Sequence, residues 1–294
     1  MSPAGPAAAA HDDATYPPHR HALRDLPFSM EAVDPERSRA RLAVTPEQCV
    51  GGGLSAGPLM TVVDVLAGSL VGRVLAPDWM ATAQMSVHLA DPPADGQVVA
   101  DATVVRNGRT TVVVEVLLSA SGPAGADRPF GEAMLTFVRL PRRDTNLDLS
   151  GFEVRYGEPT TFALADSGLQ VSWGDAIGAR VLDAPTGRVA VDVVPYVRNS
   201  FGAVNGGVVA SVAELAARTL ASSSLTGPVR STDVVVHYLT QGRVGPLSTA
   251  ATVVRDGPSG VLVRVEVRDD GDLGPTGDPR VMVVAHVQCG SSDS

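Results

Sequence analysis

The sequence predicts an α+β fold of two tandem modules, each a long helix wrapped by an antiparallel sheet. Three observations carry that prediction. Ala102-Thr103-Val104-Val105-Arg106-Asn107-Gly108 recurs as Ala251-Thr252-Val253-Val254-Arg255-Asp256-Gly257, with six of seven residues identical at an offset of 149. Val87-His88 recurs as Val236-His237, Val114-Glu115-Val116 as Val265-Glu266-Val267, and Gly57 as Gly207, all in the same order. A repeat of this length marks a structural unit used twice. Each copy also offers one apolar stretch of helical length among strand-like runs. One helix per five strands cannot cover both faces of a parallel sheet, so the strands after it form an antiparallel meander around it.

Taken in order, Arg39 to Val44 is a short strand-like run that stops at Pro46. The Gly-rich turn Gly51 to Gly57 leads into a helix from Pro58 to about Leu75, with Pro58 expected at the first helical position, where a missing N–H costs nothing. Strands are predicted at Met80–Leu89, Val98–Val105, Thr110–Ser119 and Glu132–Leu140, divided by Pro-Pro, Asn-Gly and Gly-Pro-Ala-Gly breakers. The second copy repeats the series: Val189–Val194, a helix from about Gly206 to Ala221, then Ser231–Leu239, Leu247–Val254, Val261–Arg268 and Val281–Gln288. The expected boundaries are a disordered tail at 1–22, a first module at 23–141, a linker at 142–164 and a second module at 165–290. The linker lets the second module pack against the first, so that the sheets meet edge to edge.

Composition excludes several classes of function. Of 294 residues, 23 are Lys or Arg and 32 are Asp or Glu, a net charge of -9 that argues against a nucleic-acid partner. Cys49 and Cys289 lie far apart, without disulfide or metal spacing, and fit a reducing cytoplasm; no metal site is expected. The start, Met1 to about Arg20, lacks the pattern of a signal peptide. Pro58 to Ala76 carries Asp64 and Arg73, so no membrane span is expected either.

The chemistry-bearing segment is Asn199-Ser200-Phe201-Gly202-Ala203-Val204-Asn205-Gly206-Gly207, with Glu214 seven residues on. Its counterpart is Cys49 through Gly57, followed seven residues later by Asp64. This pattern resembles the hotdog-fold acyl-CoA thioesterases of the PaaI and 4-hydroxybenzoyl-CoA thioesterase type. Their signature runs Asn, two residues, Gly, two residues, His-Gly-Gly, then a catalytic Asp or Glu on the helix. The resemblance covers both halves apart from tail and linker, and implies a tandem double hotdog acting on acyl-CoA or an acyl-carrier protein. Coenzyme A would be part of the substrate and no cofactor is implied; a homodimer of double-hotdog chains is expected. Asn205 stands where the family has His, and Cys49 where it has Asn.

The spacing has a physical meaning of its own. A helix N-terminus exposes unpaired N–H groups and a partial positive charge suited to an oxyanion. An acid seven residues along lies roughly 10 Å away at 1.5 Å per residue, too far to serve its own helix start. If the two helices pack antiparallel about a pseudo-twofold, the acid of one copy reaches the N-terminus of the other. Two hybrid sites are therefore predicted: Asn199, Asn205 and the Gly207 N–H with Asp64, and Ser55 and the Gly57 N–H with Glu214. Gly206 would lie against substrate, and the carboxylate would act as base on water or attack the thioester directly. The site with Asn199 and Gly206-Gly207 keeps more of the signature. Arg106 and Arg109 are candidates to grip coenzyme A phosphates, with Arg139, Arg142 and Arg143 as further cations near turns.

Competing motifs are weaker. Gly53-Leu54-Ser55-Ala56-Gly57 matches G-x-S-x-G, but no buried parallel strand precedes it and the repeat-equivalent of Ser55 is Asn205. His88 and His237 read as strand histidines, and none of the six histidines lies where a hotdog dehydratase would need one. Two other functions remain on the same scaffold: acyl transfer, or binding of an acyl thioester without turnover.

Overall fold

The computed structural model describes residues 16–121, 127–141, 154–258 and 260–291. In the first half a short helix, Ala22–Asp25 (α1), precedes Phe28–Asp34 (β1), Arg37–Ala43 (β2) and a small ladder of Cys49–Val50 (β3) with Gly53–Leu54 (β4). The long helix Ala56–Leu75 (α2) follows, then Trp79–Leu89 (β5), Gln97–Asn107 (β6), Thr111–Ala120 (β7) and Arg128–Leu140 (β8). Thr160–Thr161 (β9) precedes the second series: Trp173–Ala176 (α3), Arg180–Asp183 (β10), Arg188–Val191 (β11) and the helix Gly206–Ala221 (α4). Val229–Tyr238 (β12), Leu247–Gly257 (β13), Gly260–Leu273 (β14) and Pro279–Ser291 (β15) complete it.

The two halves share one sheet of thirteen strands in the order β10-β11-β13-β14-β15-β12-β5-β8-β7-β6-β2-β1-β9, its named neighbours all antiparallel. The seam is β5 against β12, where Ser86 faces Val235. Those residues are themselves 149 apart, so a pseudo-twofold axis passes between them. About the same axis α2 and α4 lie antiparallel. The Ser211 hydroxyl donates to the Gly57 carbonyl at 2.9 Å, and a Cβ on Gly207 would stand 2.3 Å from Thr61 Cα, so the helices touch backbone to backbone.

Alternation along the strands explains which face holds the helices. Val261, Val263, Val265 and Val267 of β14 are buried, as are Val112, Val114, Val116 and Leu118 of β7, while their neighbours point outward. The helix α2 is long and apolar enough to cross a membrane by length and composition, but most of its surface is buried within the protein. Burial here is cohesion between sheet and helix, at roughly 25 cal/mol per Å² of apolar surface.

Several local details differ from the sequence reading. Ser55 caps α2 and Ala56 opens it, which puts Pro58 third rather than first. The proline is still in the first turn, where no backbone N–H is needed. The run Val189–Val194 ends as a strand at Val191, with a 3-10 turn at Pro195–Val197 behind it. Within the expected linker, residues 142–153 lie outside the described residues, whereas Thr160 pairs with Met30 and lengthens the sheet at its edge. Within the expected tail, residues 1–15 also lie outside the described residues; Tyr16 is tied down by its hydroxyl on the Arg198 carbonyl at 3.3 Å.

A crossed arrangement closes each helix start. The opening segment of the first half lies on the second: His21 bonds the Arg198 carbonyl at 2.7 Å and the Tyr196 hydroxyl donates to Asp25 at 2.8 Å. Conversely, Trp173 of α3 donates to Ser211 at 3.1 Å and would meet a Cβ on Gly57 at 3.2 Å.

Candidate active site

Asp64 sits in the third turn of α2, three residues beyond Thr61, where the backbone of α4 comes closest at Gly207. Its Oδ2 accepts the Gly207 N–H at 3.2 Å and its Oδ1 accepts the Thr82 hydroxyl of β5 at 2.9 Å. The Gly207 N–H is shared: Asn205, the N-cap of α4, takes it at 2.9 Å and the Val208 N–H at 3.3 Å. A Cβ on Gly206 would stand 2.7 Å from Asp64 Oδ2, so glycine is what lets the carboxylate reach the helix start. The Tyr238 hydroxyl donates to the Gly206 carbonyl at 2.9 Å from the other side.

Electrostatically this carboxylate is unusual. Burial pushes the Asp64 carboxyl up from 3.8 to about 6, against the opposing pull of the Thr82 and Gly207 hydrogen bonds. Among the described residues no cation pairs with it. Burial and the Asp64 charge hold the phenols of Tyr238 and Tyr16 above their ordinary range, which places both in its field. Trp79, opening β5, packs edge-on against Phe201 at 4.2 Å between ring centres and fixes the loop that leads into α4.

The repeat-equivalent acid is arranged differently. Glu214 is 2% exposed, and its Oε1 accepts from the Ser231 hydroxyl at 2.9 Å and from Arg218 Nε at 2.6 Å. Ser231 stands 149 residues after Thr82, so both copies place a hydroxyl from the next strand on the acid of their helix. Arg218 has no such counterpart, since the corresponding residue in α2 is Gly68. The nearby Cys289 thiol is pushed up to about 12, first by burial and then by the Glu214 charge. Around Glu214 the protein is hollow. A cavity of about 290 Å³ is lined by Ser55, Glu214, Arg218, Arg230, Ser231 and Thr232 among others, and a smaller one of about 90 Å³ shares Ser55, Glu214 and Arg218 with it.

A long helix with a buried acid, repeated on one sheet, is the architecture that known proteins share with this chain. A family profile described as the acyl-CoA thioesterase N-terminal domain matches residues 44–138 and, a second time, residues 195–290. The chain belongs to the acyl-CoA thioesterase family. It is a thioesterase whose two matched segments are the two copies of the repeat. No curated protein sequence matches it at a significant level. Solved thioesterases share its fold. An acyl-ACP thioesterase from Bacteroides thetaiotaomicron is 12% identical with a TM-score of 0.57, covering 86% of this chain and 97% of that one. The 12:0-ACP thioesterase from Umbellularia californica is 11% identical with a TM-score of 0.55, covering 86% and 93%. A tesB protein of Mycobacterium avium subs paratuberculosis is 13% identical with a TM-score of 0.54, covering 89% and 94%.

Within this thioesterase the structure brings Asp64, Asn205, Gly206 and Gly207 together and leaves Asn199 apart. The Asn199 side chain accepts the N–H groups of Phe201 at 3.0 Å and Ala203 at 3.1 Å, so it shapes the loop before α4. Ser55 caps α2 by accepting the Gly57 N–H at 3.4 Å, and it shares the cavity with Glu214; no bond joins Glu214 to Gly57. Arg106 and Arg109 are exposed at the β6–β7 turn and line neither cavity. The cavity cations are Arg218 and Arg230 instead. His88 pairs with Asp233 at 2.8 Å across the seam, a structural place. No group of three His, Cys, Asp or Glu suited to a metal occurs among the described residues. Thr82 and Ser231 were missed by sequence reasoning, although the offset of 149 that aligns His88 with His237 also aligns them.

Proposed function

We propose that the chain is a double hotdog, with modules at 23–141 and 165–290, that hydrolyses an acyl thioester of coenzyme A or of a carrier protein at Asp64. The observation that carries this reading is the Asp64 carboxylate, uncompensated by any cation among the described residues and 3.2 Å from the Gly207 N–H at the start of α4. The thioester carbonyl oxygen takes the place of Asp64 Oδ2 at that N–H, and Gly206 leaves room for its approach. Asp64, held by Thr82, accepts a proton from the water that attacks the carbonyl carbon. The oxyanion of the tetrahedral intermediate is met by the Gly207 N–H and the positive end of α4. Collapse breaks the C–S bond, the departing thiolate takes from Asp64 the proton that came from water, and the acid and free thiol leave. A carboxyl raised to about 6 suits a base working near neutral pH. The test is thiol release from a panel of acyl-CoAs by Asp64→Asn and Glu214→Gln proteins. Loss in the first variant with turnover kept in the second supports the reading.

A second reading places hydrolysis at Glu214, and the cavity there favours it. It requires Arg218 to release the carboxylate before it can act as a base. The same two variants decide between the readings, because the opposite pattern of losses would move the chemistry to Glu214.

A further inference from the structure

The hollow beside Glu214 has two chambers of different character. The larger, about 290 Å³, is walled by hydroxyls and guanidinium groups. Two carboxylates share this wall, each with a cation of its own: Glu214 takes Arg218 and Asp91 takes Arg128 at 3.1 Å. Arg230 spends Nε, at 2.7 Å, and Nη2 on the Gly51 carbonyl and has no carboxylate partner among the described residues, so its charge is the unmatched one. The smaller, about 90 Å³, has the apolar side chains of Val50, Trp173, Ile177 and Leu215 on part of its wall and polar groups, Glu214 and Arg218 among them, on the rest. It has room for roughly three methylene-sized groups. The Trp173 indole is the largest side chain in its lining, buried and pinned by its Nε1–H on Ser211.

We propose that this cavity binds an acyl thioester with a short acyl group, the acyl in the small chamber and the anionic carrier arm beside Arg230, with Trp173 setting the length. A polar antechamber with one unmatched guanidinium, beside a small pocket with an apolar side, matches an anionic carrier joined to a small acyl better than it matches a long chain. Leu23 holds the position of Trp173 in the first copy, so the indole is particular to this side of the molecule. The inference rests on the thioesterase reading but not on which acid hydrolyses, since binding alone is read.

The chain has two tryptophans, Trp79 at the Asp64 site and Trp173 in this wall. In a Trp79→Phe protein Trp173 therefore reports on the small chamber alone. Titration with S-butyl-CoA, a non-hydrolysable thioether, is expected to change its emission saturably, and S-dodecyl-CoA to bind at least about tenfold more weakly. Arg230→Ala in that background should weaken S-butyl-CoA by about tenfold. By calorimetry, Trp173→Leu should raise the affinity for S-dodecyl-CoA relative to S-butyl-CoA by about tenfold. Trp173→Phe, the milder change, should move it the same way by less. Unmoved Trp173 emission with both thioethers, or an unchanged chain-length ratio in Trp173→Phe protein that melts like wild type, would overturn the proposal. Loss of turnover in Asp64→Asn bears on the hydrolysis reading alone.

Discussion

Asp64 and Glu214 occupy one position of a repeated module, and each leans on a hydroxyl from the strand after its helix, Thr82 in one case and Ser231 in the other. One turn further along the helix the copies part. Arg218 reaches back to Glu214, whereas Gly68 offers Asp64 nothing. The carboxylate without a cation turns instead to the N-terminus of the facing helix, and the one with a cation does not. Their surroundings differ as well: Tyr16 lies in the field of Asp64, and an open two-chambered cavity lies beside Glu214. The residue at i+4 goes with this difference: an Arg there gives the buried acid a charged partner on its own helix, and a Gly there gives it none.

The comparison is tested most sharply by activity. Asp64→Asn should lower kcat by about a thousandfold while Glu214→Gln costs less than about tenfold, measured by thiol release; this is the range that removal of a general base covers. Next in size is a pair of glycine changes. Gly207→Ala puts a Cβ 2.3 Å from Thr61 Cα, backbone that cannot give way, and should cost about 3 kcal/mol or more of stability. Gly57→Ala meets only the side chains of Ser211 and Trp173, at 3.2 Å, and should cost about 1 kcal/mol; denaturant melts of both proteins measure the difference.

Stability against pH gives a third test. Asp64 has a folded value of about 6 against 3.8 when free, so its contribution is fully present below about pH 3.8 and is lost as pH rises through 6. Asp64→Asn should therefore be more stable than wild type at pH 8, by up to about 3 kcal/mol, and show no gain at pH 3.5. The same titration should appear as an acid limb near pH 6 in the kcat/KM profile. The smallest expected effect is Thr82→Val, which removes a hydrogen bond to the ionised carboxylate and should move that limb upward by less than about one pH unit. Ser231→Ala should leave it in place. A limb that follows Ser231 rather than Thr82 would assign catalysis to the second site.

Much of this is legible in the sequence. The repeat at 149 to 151 residues, the two long helices and ten of the strands follow from apolar periodicity and turn residues, and α4 runs from Gly206 to Ala221 as its glycines and alanines suggest. The short elements were not legible. Four-residue helices such as α1 and α3 carry too little periodicity to read, and β1 is half-buried along most of its length, so its pattern is blurred. The placement of Asn199 was not legible for a different reason: an Asn before a helix can cap, catalyse or bend a loop, and the direction of its side chain, here toward Phe201 and Ala203, is set by the folded loop.

The sequence by itself determined that one module occurs twice, that each copy carries an acid two turns into its helix, and that the chain resembles thioesterases. It did so because local periodicity and spacing are written along the chain. Which N–H each acid meets was decided only by tertiary structure. Antiparallel packing of α2 on α4 brings Asp64 to Gly207 across 143 residues of sequence, while Arg218, a neighbour on the same helix, keeps Glu214 at home. A contact between backbones depends on how closely two helices approach, and that distance is set by the whole sheet folded around them.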